Sequence, residues 1–178
     1  DGSLDEAEVI DLVVNACYRS NRVMEDEYLE LGLRAVRLKE QASPVDGPAL
    51  ANSLLHLANL YRVRSEFHKA IPIYERALDT LAAAGPDHHP QRATVMDGLG
   101  VIHRKLGDYG KGLQFSEEAL RIQERSLGPD HPDVAVTLNN LGIIKLWVGD
   151  YSQSRDLNLR ALAIRENHFE SDSEWIGE

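Results

Sequence analysis

Two loops of this chain carry residue types that could bind a metal ion. Asp87, His88 and His89 stand in GPDHHP, and Asp130 and His131 stand in GPDHP, with His131 following His89 by 42 residues. Imidazole and carboxylate are both ligands that zinc accepts. The repetition supplies a second reading, in which the same letters recur because they close one helix and open the next. Gly ends a helix, and Pro suits a first turn that needs no amide donor. Nothing else supports covalent chemistry: there is no Gly-rich phosphate loop, no His-Glu-x-x-His zinc helix and no Ser or Cys nucleophile signature. The lone cysteine, Cys17, excludes a disulfide framework within the chain and lies in an apolar stretch that suits packing. The expectation is a chain that is not an enzyme and holds no metal or other cofactor. The chemistry left to its side chains is recognition.

The same loops punctuate a repeat. Moving 42 residues toward the N-terminus carries Leu141, Gly142, Tyr151, Ala161, Leu162 and Pro132 onto Leu99, Gly100, Tyr109, Ala119, Leu120 and Pro90. A second step lands on Leu57, Ala58, Phe67, Ala77, Leu78 and Pro48. A third still finds Ala16, Ala35, Val36 and Leu38 among apolar neighbours, although Glu25 stands at the aromatic position. Four copies, the first degenerate, predict a solenoid, because one helix pair cannot bury its apolar face without neighbours.

Apolar spacing and breakers predict helices over 4–20, 25–41, 49–64, 67–84 and 91–106. Gly107 ends one helix and Asp108 caps the next, which starts at Tyr109; the last repeat copies this at Gly149, Asp150 and Tyr151. In the second repeat Ser65 and Glu66 replace Gly-Asp, so the turn is less clearly written. Pro72 lies beyond a first turn and should bend its helix. Lys145, at the register of Tyr61, predicts a face that meets solvent or the tail.

The small residue at Ala58, Gly100 and Gly142, the aromatic nine residues on, and the later Ala-Leu pair resemble a tetratricopeptide repeat. In that repeat two helices cross closely at the small residue and the aromatic fills the space beside it. The usual unit is about 34 residues. The longer period here, the GPDHP loop and TLNNLG resemble the repeats of kinesin light chains. The resemblance covers 48–166 strongly and 4–47 weakly. It implies an all-α fold, a right-handed superhelical solenoid of four tetratricopeptide-type helix hairpins. The expected single array has a degenerate first repeat at 4–47, further repeats at 48–89, 90–131 and 132–168, and an acidic Trp-containing tail at 169–178. Such a fold implies a binding scaffold and says little about the partner.

The formal net charge of −10 argues against nucleic acid, which needs a concentrated basic face. At 43% hydrophobic residues the chain can stack helices continuously, yet no apolar run approaches a membrane span. A cytoplasmic protein is expected. The start at Asp1-Gly2, with neither Met nor leader, suggests a piece of something longer. Both ends are acidic, while Arg62, Arg64, Lys69, Arg76, Arg104, Lys105 and Lys111 make the middle mixed to basic. These cations are either ordinary solvated faces or a basic strip that would attract acidic peptides.

If Leu54, Leu57, Ala58 and Tyr61 face the partner helix, residues turned roughly 100 to 140 degrees away line an inner wall. These are Asn52, Asn59 and Val63 with Leu55 and Arg62 at the edge, then Thr94, Val101 and Lys105 flanked by Asp97 and Arg104. The last repeat offers Val136, Ile143 and Trp147, flanked by Asn139, Asn140 and Leu146. In the first repeat the places fall to Ile10, Val13, Cys17 and Asn21. An Asn amide can pair with both polar groups of a peptide backbone, and Arg or Lys holds carboxylates. The kinesin-light-chain resemblance implies cargo peptides with a Trp or Leu among acids, bound at Asn139, Asn140, Arg104 and Lys105. In the bland alternative the Asn residues only cap or hydrate the wall. The chaperone-tail clamp of other tetratricopeptide domains is disfavoured, because Leu55, Gly98 and Val136 occupy its places.

The tail, SDSEWIGE, is itself a Trp among acids. Trp175 and Ile176 either cap the last helix pair or enter a groove of this or a neighbouring molecule, which would make a homo-oligomer through the tail. The expected function is a non-catalytic protein-interaction scaffold for a short acidic or aromatic-acidic segment. The alternative is a structural or self-association module that regulates a larger parent protein.

Overall fold

The structure, a computed structural model, describes the backbone of residues 2–19, 26–85 and 89–174; side chains at 2–4, 17–19, 89 and 169–174 are left out. Among the described residues there are eight helices: α1 (Gly2–Arg19), α2 (Asp26–Gln41), α3 (Gly47–Val63), α4 (Phe67–Ala84), α5 (His89–Lys105), α6 (Tyr109–Leu127), α7 (Pro132–Trp147) and α8 (Tyr151–Glu174). They form four hairpins, as the repeat predicts. Two compact units result, Asp1–Gln91 and Arg92–Glu178.

In the N-terminal unit, α1 packs on α2, α2 on α3 and α3 on α4. Ile10, Val14, Ala35 and Leu60 form one core cluster, with Tyr28, Leu31 and Val63 against it. The predicted α3 stripe of Leu54, Leu57, Ala58 and Tyr61 is buried. Helix α4 runs unbroken through Pro72. The α3–α4 turn proves to be the same turn as the others. Ser65 adopts φ 61°, where Gly107 and Gly149 take 81° and 84°. Glu66 N bonds Tyr61 O at 2.9 Å, as Asp108 N bonds His103 O and Asp150 N bonds Lys145 O at the same distance. A left-handed conformation is costly for Ser, so sequence pattern alone underrated this turn.

In the C-terminal unit the helices of each hairpin approach at glycine. A Cβ on Gly142 would lie 2.5 Å from Asn158 Nδ2, and one on Gly100 would collide with Ser116 Oγ. The close crossing is therefore where the repeat puts it, but its neighbour is not the aromatic. Tyr109 instead stacks on Trp147 of the following hairpin, with centroids 6.3 Å apart and planes at 11°. Tyr151, with no such ring to meet among the described residues, is 69% exposed. Val134, Ala135, Leu138, Ala161 and Ile164 make the core of the last hairpin, with Leu120 and Leu157 against it. Lys145 corrects a second expectation: its side chain is mostly covered and its ammonium lies 3.6 Å from Glu117 of α6.

Helix starts are capped by side chains that accept otherwise orphaned amides. Asp108 Oδ1 accepts from Lys111 N at 3.2 Å, Asp150 Oδ1 from Gln153 N at 3.1 Å and Asp46 Oδ1 from Ala49 N at 3.0 Å. Asp108→Ala is expected to cost about 1 kcal/mol in urea denaturation. Asp108→Asn, which keeps the acceptor, should cost a fraction of that. No helix among the described residues is long and apolar enough to cross a membrane.

Candidate interaction sites

The wall residues proposed from sequence fall into three kinds of surroundings. In the N-terminal unit, Asn59 Oδ1 accepts from Tyr74 hydroxyl at 2.7 Å and from Arg62 Nε at 3.3 Å, while Arg62 Nε also approaches the Tyr74 oxygen at 3.1 Å. Asn59 thus has its acceptor engaged inside its own hairpin and cannot offer both groups to a peptide backbone. Leu55 is buried, and so is Val101 of the other unit at 8% exposure, which leaves it little surface for a ligand. Asn52 is half-buried and lines a cavity.

In the C-terminal unit a side-chain hydrogen bond joins α5 to α7. Asn140 Nδ2 donates to Asp97 Oδ2 at 2.8 Å, which ties the two helices. Asn139 and Ile143 are half-buried beside it, and Val136, Leu146 and Trp147 are exposed. Lys105 is exposed, and Arg104 keeps a buried Nε without a hydrogen-bond partner. The fate of the other central cations sharpens this. Arg64 pairs with Asp26 at 2.7 Å and Glu66 at 3.0 Å, Lys69 with Glu66 at 2.6 Å, Lys111 with Asp108 at 3.6 Å, and Arg76 with Glu40. Arg62 holds Asn59 and Tyr74. Of the seven, only Arg104 and Lys105 form no ion pair or hydrogen bond of their side chains among the described residues.

Asp87 and His88 lie outside the described residues, as do Trp175 and Ile176, and the side chains of Cys17 and His89 are not described. Among the described residues no three His, Cys, Asp or Glu side chains converge as a metal site would require. His131 acts in its turn: Nδ1 accepts from Asp133 N at 3.1 Å and caps α7.

A polar cluster in the N-terminal unit was not anticipated. Asp11 of α1 is buried, and its Oδ2 takes Lys39 Nζ of α2 at 2.5 Å and Ser53 Oγ of α3 at 2.7 Å. His56 Nδ1 lies 3.4 Å from Oδ1, and Lys39 also donates to Ala49 O at 3.2 Å. Burial by itself would raise the Asp11 carboxyl, but hydrogen bonds from His56, Lys39 and Ser53, and the charge of Lys39, hold it below its usual value.

A family model described as tetratricopeptide repeat matches residues 49–111 and 91–167, more than half of the chain. The chain belongs to the tetratricopeptide repeat family. Several solved structures share this fold. BtubC (BKLC) from P. vanneervenii is 25% identical with a TM-score of 0.76, over 90% of this chain and 62% of that one. The apo form of RapI is 16% identical with a TM-score of 0.78, over 96% and 60%. A putative kinesin light chain from Podospora anserina, with nearly identical repeats, is 19% identical with a TM-score of 0.62, over 91% and 76%. The last two likenesses speak for the fold alone. The chain spans about three fifths of the length of the first two structures. No curated protein is significantly similar in sequence.

Tetratricopeptide arrays generally serve as protein-interaction modules. Their register also explains the unanticipated cluster. Asp11, Ser53, Val95 and Thr137 stand at 42-residue intervals and are all buried; so do Lys39, Leu81 and Gln123. The charged pair occupies two interior places that later repeats fill with apolar or neutral side chains. Comparing the repeats at those places, rather than only at the signature residues, would have found it.

Proposed function

We propose that this tetratricopeptide array is a non-catalytic scaffold that binds a short acidic or aromatic-acidic segment of a protein partner on the α5–α7 face. The observation that carries the reading is that, among the described residues, Arg104 and Lys105 alone of the seven central cations have neither an ion pair nor a hydrogen bond of their side chains. They stand on the helix pair that also presents exposed Trp147, Val136 and Leu146. Carboxylates suit the two cations, Asn139 and Asn140 stand on α7 of the same pair, and an aromatic anchor suits the exposed apolar surface. Asp97 sets a limit: it favours a ligand whose acids lie toward the C-terminal end of α5. A cytoplasmic setting, with neither nucleic acid nor membrane as partner, belongs to the same reading.

Fluorescence polarisation with a labelled peptide carrying one Trp among four Glu residues tests it. Arg104→Glu/Lys105→Glu is expected to weaken binding at least tenfold, about 1.4 kcal/mol, while Arg76→Glu leaves it unchanged. A wild type that binds no acidic Trp peptide, or equal losses in both variants, overturns the reading. The second reading, self-association, draws on exposed Tyr151, Leu159 and Leu162 of α8. A concentration-dependent mass in sedimentation that α8 substitutions abolish would favour it.

A further inference from the structure

The polar cluster of the N-terminal unit forms one wall of a cavity of about 490 Å³, bordered by Glu8, Asp46, Asn52, His56 and Gln91. That volume falls in the range of small-ligand clefts, about 300–1,000 Å³. What such a cavity can bind follows from which of its polar groups are still open. The one cation at its wall, Lys39, is engaged twice, by Asp11 and by the Ala49 carbonyl. It offers a ligand little. Three acids, Glu8, Asp11 and Asp46, face that single base.

The charges left open are negative. His56 is tied to this acid through Nδ1, which lies 3.4 Å from Asp11 Oδ1. Gln91 borders the cavity, but its Oε1 is covered by protein and is not open to a ligand. Glu8 is exposed, and Asp46 uses one oxygen on the Ala49 amide and keeps the other. A cavity with an excess of acceptors and an engaged cation suits a positively charged donor.

We propose that this cavity receives the guanidinium or ammonium of a basic side chain on a peptide partner, with Glu8 and the free oxygen of Asp46 supplying both charge and acceptors. Arginine fits best, because its five N–H groups lie in one plane and can meet several acceptors at once. This site differs from the α5–α7 face in residues and in charge preference, so either can fail without the other.

Titration of the full chain with acetyl-Ala-Arg-Ala-amide, followed by calorimetry and by amide chemical shifts, tests it. The citrulline peptide, equal in shape and uncharged, should bind at least tenfold more weakly. Glu8→Gln/Asp46→Asn should weaken the arginine peptide at least tenfold with little change in melting temperature, since Asn keeps the α3 cap. Asp156→Asn/Glu166→Gln on α8 removes the same charge elsewhere and should change nothing. Equal loss in both variants, equal binding of citrulline and arginine peptides, or no shifts at the residues bordering the cavity would overturn the proposal. Tighter binding of spermidine than of the peptide would overturn the assignment to a peptide side chain.

Discussion

Asp11→Asn is expected to destabilise the N-terminal unit by about 3–5 kcal/mol, the usual consequence of removing one partner of a buried ion pair. The Lys39 side chain is only 6% exposed, and its ammonium would stay behind with Ala49 O and no counter-charge. Lys39→Met alone should be costly for the mirrored reason, but Asp11→Asn/Lys39→Met should recover most of the loss. Urea denaturation of the three variants at neutral pH checks this, and a single-variant cost under 1 kcal/mol would contradict it. The wild type should also carry a pH signature. Because the folded Asp11 carboxyl sits below the ordinary aspartate value of about 3.9, its stabilisation is fully present above that value. It is lost as pH falls through that value toward the lower folded one. Below about pH 5 the melting temperature should therefore fall more steeply in the wild type than in the double variant.

Tyr74→Ala is expected to cost about 3–5 kcal/mol, because the side chain is fully buried and its removal leaves a cavity between α3 and α4. Tyr74→Phe keeps the ring and removes the hydroxyl that donates to Asn59 and meets Arg62, and should cost about 1–2 kcal/mol. Chemical denaturation of both separates ring from hydroxyl. If Phe costs as much as Ala, the hydrogen bonds and not the packing hold this hairpin. The Phe variant also has a diagnostic use. It releases Asn59 and Arg62 from the hydroxyl while leaving their bond to each other, so a gain in acidic-peptide binding would show that the tyrosine keeps them occupied.

The fold was legible because its signals are local and recur. The glycine crossings, the Asp caps and the α3 stripe are each written within one hairpin, and the period repeats them. What the pattern misread were contacts made beyond the hairpin. Tyr109 was expected to fill the space at Gly100, but it meets Trp147 of the next hairpin, and Ser116 takes that space. Lys145 looked exposed because helical periodicity does not see Glu117 across the α6–α7 contact. The candidate wall suffered similarly: angular position on α3 says nothing of a tyrosine hydroxyl arriving from α4 to engage Asn59 and Arg62. The same angles gave Arg104 and Lys105 on α5 and Asn140 on α7, and Asn140 bonds Asp97 of α5. The Asp11 cluster needed a different comparison, because neither its acid nor its base belongs to the signature.

The turn at Ser65 has a consequence for how such chains change over time. Its backbone matches the glycine turns at Gly107 and Gly149, hydrogen bond for hydrogen bond, although its residue is ill suited to that conformation. The joint is dictated by the two helices it connects and survives without the residue that would make it easy. Substitutions can therefore accumulate at such corners without disturbing the stacking of the rods on either side.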